Sequence, residues 1–444
     1  MGVGKTHGAG ACGSIVTRAA LAGLLLMPGA ASAQTHEALD EAQIREHELR
    51  LSQQSPRALI DNGVVQRLRP GYDPEGIPIG SFRAYPQVSV QLAYDTNALE
   101  TTIETPDEEA IIRPSLSVRS DWERHSLGLD ASASIERFVR RPSEDAVNYD
   151  VSANGVLDFG LGGHLHGLGR VARNIEDRGS VGDLFPGGDP IRYDKREATG
   201  GIEEHLPGLF LSVDGDLTGY RYDDVQYQGV TYSQAYRNRD EARVVGQAAF
   251  RIAPRMALFT EISGNSVQYS LRPAGADFGS HGESVLAGIT FQIPAILSGE
   301  IGIGYIRQTY DALPLGAVQG VTYDLSALWN ATPLLTMTVG VHRSIQQTPY
   351  PQAPSIIETR FELKFDYELL RNLLVNLQGT VTLDDFGRLY PTDTRHNASV
   401  SFKYLMNRGL SADLSVEWRQ QRASSSFLRP YEGAAVRIGL TAQR

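Results

Sequence analysis

The feature that most constrains this chain is a two-residue alternation of apolar and polar side chains. It recurs in stretches of about ten residues, the length of a membrane-crossing strand, from Phe82 to Arg444. Between Glu358 and Tyr367, Phe361, Leu363, Phe365 and Tyr367 alternate with Arg360, Glu362, Lys364 and Asp366. Successive side chains of a strand point to opposite faces, so one face is apolar and aromatic and the other is charged. The same split appears where Ala398, Val400, Phe402 and Tyr404 oppose Asn397, Ser399, Ser401 and Lys403, and where Leu414, Val416 and Trp418 oppose Asp413, Ser415, Glu417 and Arg419. Leu127, Leu129, Ala131, Ala133 and Ile135 likewise oppose Gly128, Asp130, Ser132, Ser134 and Glu136.

The connections between these stretches alternate as well. Long polar ones fall near 95–109, 139–147, 176–190, 223–236, 270–281, 311–319, 347–355, 385–392 and 422–430. Short ones fall near 123–124, 160–163, 207–208, 253–255, 294–295, 331–333, 369–372 and 406–409. Nine long and eight short connections join 18 strands, within a range of 16 to 20, and both ends of the series lie on the short-turn side. Long loops on one rim and short turns on the other are the arrangement of an outer-membrane barrel.

A soluble sandwich also alternates, but its strands run to about five or six residues and its loops do not sort by length between two ends. Tyr94, Trp122, Phe138, Phe159, Tyr305, Trp329, Tyr367, Tyr404 and Trp418 sit towards strand ends, as membrane-interface girdles require. A solenoid would show one short fixed period, and none is evident. The expected fold is therefore all-β, a transmembrane antiparallel β-barrel over 82–444. In hydrocarbon every backbone N–H and C=O must be paired, so the sheet has to close. About 18 tilted strands enclose a space wide enough for water.

Composition supplies the address. Residues 1–33 read as a cleaved signal peptide: Lys5, His7 and Arg18 precede or flank a short apolar core, Ala19 to Met27, and Ala31-Ser32-Ala33 precedes Gln34. Removing it takes away two cations, no anion and the single Cys12, which moves the net charge from -11 to -13. A chain without cysteine suits an oxidising compartment. The negative charge argues against nucleic acid as a partner, and the absence of any apolar run of about 18 residues excludes a helical membrane protein. Residues 34–81 read as a periplasmic extension, with a short polar helix from His36 to about Gln54 and an extended, Pro- and Gly-rich lead-in from Arg69 to Ser81.

Several of these segments also resemble one family. Arg69-Pro70, Tyr72-Asp73-Pro74, Gly76-Ile77, Gly80-Ser81-Phe82 and Tyr85-Pro86 resemble the start of the putative β-barrel porin 2 family. Tyr94-Asp95-Thr96-Asn97 is similar to that family's acidic corner, and Ser120-Asp121-Trp122 with Arg124-His125 to its first short turn. Glu176-Asp177-Arg178-Gly179-Ser180 is similar to its second long loop, and Leu369 to Leu374 to a late periplasmic turn. The resemblance runs from about Arg69 to the C-terminus. It implies a Gram-negative outer-membrane barrel, often associated with exopolysaccharide or capsule production and export, and it carries over no catalytic residue. One departure is the C-terminus: the chain ends Gly439 to Arg444 without the terminal aromatic residue common in such barrels.

No nucleophile elbow, His-Glu-x-x-His or phosphate-binding loop is present, so no catalytic, cofactor-binding or metal site is expected. His164 and His166 share a strand face but have no acidic residue or Cys at ligand spacing, which favours a solvated pair. Glu100, Glu104, Asp107, Glu108, Glu109, Asp183, Asp189, Asp223 and Asp224 could bind cations that bridge lipopolysaccharide, although solvated loop charge is the simpler reading. The functional candidates are the residues expected to face the lumen: Arg360, Glu362, Lys364 and Asp366, then Glu136, Arg170, Glu417 and Arg419. Mixed charge there would set ion preference or brace the lumen by ion pairs. The expected function is a porin-like conduit for hydrophilic solutes. The alternatives are a non-conducting scaffold of a polysaccharide-export assembly and an outer-membrane hydrolase. Expected partners are outer-membrane lipids and lipopolysaccharide, the barrel-assembly machinery and periplasmic polysaccharide-export proteins.

Overall fold

The computed structural model describes residues 63–444 apart from 161, 272–277, 312–315 and 388–389. The expected signal peptide, polar helix and extension as far as residue 62 lie outside the described residues. The chain enters through a short strand, β1 (Ile77–Ile79). It then meanders through β2 (Phe82–Asp95), β3 (Asp107–Ser120), β4 (Ser126–Phe138), β5 (Ala146–Phe159), β6 (Gly163–Ile175), β7 (Arg192–Leu206) and β8 (Leu209–Tyr222). A small hairpin, β9 (Val225–Tyr227) and β10 (Val230–Tyr232), stands in the next long connection. The meander resumes with β11 (Arg239–Ala253), β12 (Met256–Tyr269), β13 (Ser280–Ile293), β14 (Leu297–Tyr310), β15 (Ala317–Thr332) and β16 (Leu335–Gln347). It finishes with β17 (Ser355–Leu370), β18 (Leu373–Asp385), β19 (Asp393–Asn407), β20 (Leu410–Arg422) and β21 (Tyr431–Gln443).

Leaving aside β1, which pairs only with β2, 18 strands form one antiparallel barrel closed by β21 against β2. The alternation and the loop sorting anticipated this architecture. The Glu176–Ser180 segment lies in the third long connection rather than the second, because the turn at 139–145 is itself one of the long set. Register fixes the faces. On β2, Val88, Val90, Leu92 and Tyr94 are exposed on the outside while Ser89 is buried, and Phe361, Leu363 and Tyr367 of β17 are exposed while Asp366 is buried. Exposed apolar side chains thus cover the outer wall. Trp122, Phe159, Trp329, Tyr367 and Tyr404 mark its short-turn rim, and Tyr94, Tyr305 and Trp418 its long-loop rim.

The closing seam is built around proline and the chain end. β21 pairs with β2 only from Gln87 to Asp95, and β1 covers the same edge from Phe82 to Ala84. Pro86, with no N–H to satisfy, sits between them and accepts a hydrogen bond from the Arg444 N–H at 3.2 Å. The first short turn clamps this lead-in: Trp122 Nε1 donates to Ser81 Oγ at 3.2 Å, Asp121 N donates to Ser81 O, and the Trp122 ring meets Phe82 edge-on at 5.4 Å.

The lead-in before β1 is folded, not extended. The Arg69 carbonyl accepts from Tyr72 N at 2.8 Å and Asp73 N at 3.0 Å, and the Asp73 carboxylate accepts from Arg69 N. An Asp side chain that bonds nearby backbone in this way stabilises a turn.

Because the outer wall meets lipid, its cost function differs from that of a soluble core. Leu363 lies near the middle of β17 and faces outward. Replacing it by Arg is expected to destabilise the barrel by about 2–4 kcal/mol in vesicles. Urea unfolding of wild type and variant checks this; equal midpoints would contradict the membrane-facing assignment.

Candidate functional site

The inner face is a set of charge networks that tie neighbouring strands together. Arg170 on β6 donates through Nε to Asp150 on β5 at 2.6 Å and through Nη1 to Glu197 on β7 at 3.2 Å. Glu417 on β20 accepts from Arg437 on β21 at 3.0 Å and from Asn397 on β19 at 2.6 Å. Arg419 reaches Asp95 of β2 at 2.5 Å and Glu100 in the first long loop at 3.4 Å. On β17, Lys364 Nζ lies 3.6 Å from Asp366, and Arg360 Nε lies 4.0 Å from Glu362, which also accepts from Gln378 at 3.2 Å. Glu136 on β4 is buried and accepts from Ser134 Oγ at 2.7 Å. The eight sequence candidates are therefore spread over β4, β6, β17 and β20 and do not converge on one spot.

Two cross-members, which periodicity could not reveal, project onto this face. The first is the connection 176–191 on the long-loop side. Its Arg178 holds Glu144 with a two-pronged contact at 2.6 and 2.9 Å, and Asp183 at 3.2 Å. Asp183 in turn holds Arg429, and Gln421 on β20 donates to the Gly179 carbonyl at 3.0 Å. At its flank Glu176 pairs with the buried Arg237, whose guanidinium lies 4.0 Å over the Tyr222 ring. Val181 packs on a buried cluster of Ala353, Ile356, Phe386 and Leu428. A loop that touches β17, β20 and the loops at 144, 237 and 429 must span the mouth. Gly179 allows it to seat: its φ is +71°, and a Cβ there would meet Tyr431 at 2.6 Å and Glu100 at 2.7 Å.

The second cross-member is the segment 63–69 at the short-turn end. Val64 and Arg69 are 1% and 2% exposed, which shows that this segment is inserted rather than draped. Val64 N donates to Thr336 Oγ1 on β16 at 2.9 Å, and Arg69 Nη2 bonds Glu368 on β17 at 2.9 Å and the Val64 carbonyl at 2.6 Å. Arg67 also reaches Glu368, at 3.4 Å.

Between the first cross-member and the wall lies a cavity of about 110 Å³ lined by Glu176, Arg237, Arg239, Tyr269, Glu358 and Arg395. Arg395 on β19 is itself fixed by Glu358 on β17 at 2.6 Å and Asp384 on β18 at 2.9 Å. A polar cavity of this size suits ordered water or a small hydroxylated group.

Several of the long-loop acids meet arginine. Asp107 is buried against Arg141 at 3.1 Å, Asp183 against Arg178, and Glu108 pairs with Arg140 at 2.7 Å. Asp107 and Asp183 are thus held by arginine within the rim, whereas Glu108 pairs in the open. Burial raises the Glu100 carboxyl from 4.5 to about 7, against the pull of Arg419. His166 pairs with Asp214 at 2.8 Å and so leaves the sequence pair with His164.

The family profile described as putative beta-barrel porin 2 matches residues 69–444 of the chain. No curated protein matches it. Among solved structures, OpdK from Pseudomonas aeruginosa with vanillate is 12% identical, with a TM-score of 0.42, covering 81% of this chain and 99% of its own. A BenF-like porin from Pseudomonas fluorescens Pf-5 is 11% identical at TM-score 0.42, with coverages of 81% and 99%. OccK2 (OpdF) from Pseudomonas aeruginosa in complex with glucuronate is 11% identical at TM-score 0.44, with coverages of 83% and 100%. Scores this low carry neither ligand nor mechanism across to this chain.

Two outcomes follow from the cross-members. Arg69→Ala should leave Glu368 short of its buried cation and free the short-turn segment, since breaking a buried pair costs about 3–5 kcal/mol. Proteinase K should then cleave near residues 63–73 at least about tenfold faster than in wild type; an unchanged rate would mean that the segment is not held by this pair. Glu100, protonated in the fold up to about 7 against an ordinary 4.5, costs stability as pH rises through that window. Glu100→Gln should therefore gain thermal stability over wild type on going from about pH 5 to about pH 8. A pH-independent difference in Tm would refute the buried carboxyl.

Proposed function

We propose that this chain, which belongs to the putative beta-barrel porin 2 family, is a constricted conduit for hydrophilic solutes. It is a porin-like outer-membrane β-barrel, with the long loops outside and the short turns in the periplasm. The observation that carries the conduit reading is the character of the interior. The wall carries ion pairs between strands, and the loop 176–191 crosses the mouth through arginine–carboxylate contacts as well as the apolar packing of Val181, with a cavity lined by charged side chains beside it. Charged rings and polar constrictions of this kind set which hydrated solutes pass. The Lys364, Arg360 and Arg395 side chains and their carboxylate partners are the residues placed to do so. Export through a signal peptide cleaved after Ala33, delivery by the barrel-assembly machinery, contact with lipopolysaccharide and a link to exopolysaccharide or capsule export belong to the same reading.

A second reading is favoured by the inserted segment 63–69, which occupies the periplasmic mouth. In it the barrel is a scaffold that does not conduct by itself, and residues 34–81 engage a periplasmic export protein.

Planar bilayers separate the two. The conduit predicts discrete single-channel steps, a shift towards cation selectivity for Lys364→Glu, and larger steps for Gly179→Val, whose side chain cannot share space with Tyr431 and Glu100. A folded protein that never conducts, even without residues 34–68, rejects the conduit in favour of the scaffold.

A further inference from the structure

The short-turn rim carries a constellation that the charged wall does not account for. His164 and Glu203 are direct cross-strand partners on β6 and β7, and Asp158 on β5 is the partner of His164 on its other side. His205 follows Glu203 by two residues on β7 and so shares its face. That face is the inner one, because the alternating neighbours Leu157, Leu165, Ile202 and Leu206 are exposed on the outer wall. His164, Glu203 and His205 each offer a ligand atom, and these atoms lie within 4.8 Å of one another. The His205 and Glu203 atoms are 3.9 Å apart, and the two imidazole rings stand at 5.8 Å.

A second observation points to a metal. The Asp158 carboxylate lies 2.6 Å from His164 Nδ1. A carboxylate only accepts, so in the neutral ring Nδ1 carries the proton and Nε2 the lone pair. A metal-binding histidine is commonly fixed in this way, with its other nitrogen donating to a carboxylate. Asp158 is itself tied down, its backbone N–H donating to His125 Nδ1 at 3.2 Å.

We infer that His164, Glu203 and His205 form a binding site for a late first-row divalent metal ion, with Zn²⁺ the natural occupant, on the periplasmic rim of the lumen. Two imidazoles and one carboxylate are a Zn²⁺ ligand set that leaves a fourth position for water or a solute. Ligands about 2.0–2.1 Å from a tetrahedral ion lie roughly 3.3 Å apart. Closing from separations within 4.8 Å calls for side-chain rotation, chiefly at the exposed His205, whose ring also packs against Phe210 at 4.8 Å. Asp158 acts as a positioning residue through His164. The ion would staple β6 to β7 and place a positive charge at the channel's periplasmic exit. The site stands whether or not the barrel conducts.

The test uses the untagged, mature full-length protein, folded in detergent and stripped with chelator. Co²⁺ titration should give a visible d–d absorption band with one ion per chain, displaced by Zn²⁺. His164→Ala and His205→Ala should each abolish the band, and Asp158→Asn should weaken Co²⁺ binding about 10–100-fold without removing it. Heat-modifiable migration on gels verifies that each variant is folded; if His164→Ala is not, His205→Ala at the exposed position supplies the same readout. The proposal is overturned by a wild type that shows no band, by a band that persists in a folded His164 or His205 variant, or by an Asp158→Asn affinity equal to wild type.

Discussion

A backbone surrounded by hydrocarbon has no water to bond, and the whole structure follows from having to satisfy it. Each of the 18 strands pairs with a neighbour on both sides, and the seam between the first and last shows how closure is arranged. There β21 covers β2 from Gln87, β1 covers it up to Ala84, and a residue without an N–H, Pro86, fills the gap. The seam explains why the lead-in is so well defined. Ser81 and Phe82 are held by the Trp122 turn, which delivers the preceding segment to the short-turn mouth, where Arg69 finds Glu368 across the opening.

Closure also decides the chemistry of the interior. With the apolar side chains turned to lipid, the polar half of every strand must face inward, and charges confined there are costly unless paired. Arg170, Arg395 and Arg419 each join carboxylates from neighbouring strands or loops, so the wall is braced by the groups that would also act on a passing ion. Bracing and selectivity are then two consequences of one arrangement. The loop 176–191 repeats the principle across the mouth, with Arg178, Asp183 and Glu176 answered by residues from distant loops.

The motifs that mark the family acquire physical reasons in the fold. Asn97 of the acidic corner is 1% exposed; its amide donates to the Thr101 and Glu432 carbonyls, and Asp95 beside it caps Asn97 N and receives Arg419. Arg178, quoted in the sequence only for its resemblance, turns out to be the centre of the long-loop cross-member. Its partner Asp183 lies five residues along the same loop, but Glu144 becomes its partner only when two loops meet.

What this sequence determines by itself is everything that depends on a period of two and on the spacing of turns. Phe361, Leu363 and Tyr367 against Arg360, Glu362 and Lys364 establish the two faces, and the sorted connections establish the strand count and the direction of the barrel, because both are local properties of a strand and its turn. Tertiary structure alone decided which distant charges meet. Arg69 and Glu368 lie 299 residues apart, Asp183 and Arg429 lie 246 apart, and His164 joins Glu203 and His205 instead of its sequence neighbour His166. Such pairings depend on the register between strands and on loops folding back over a mouth, and no local pattern encodes either.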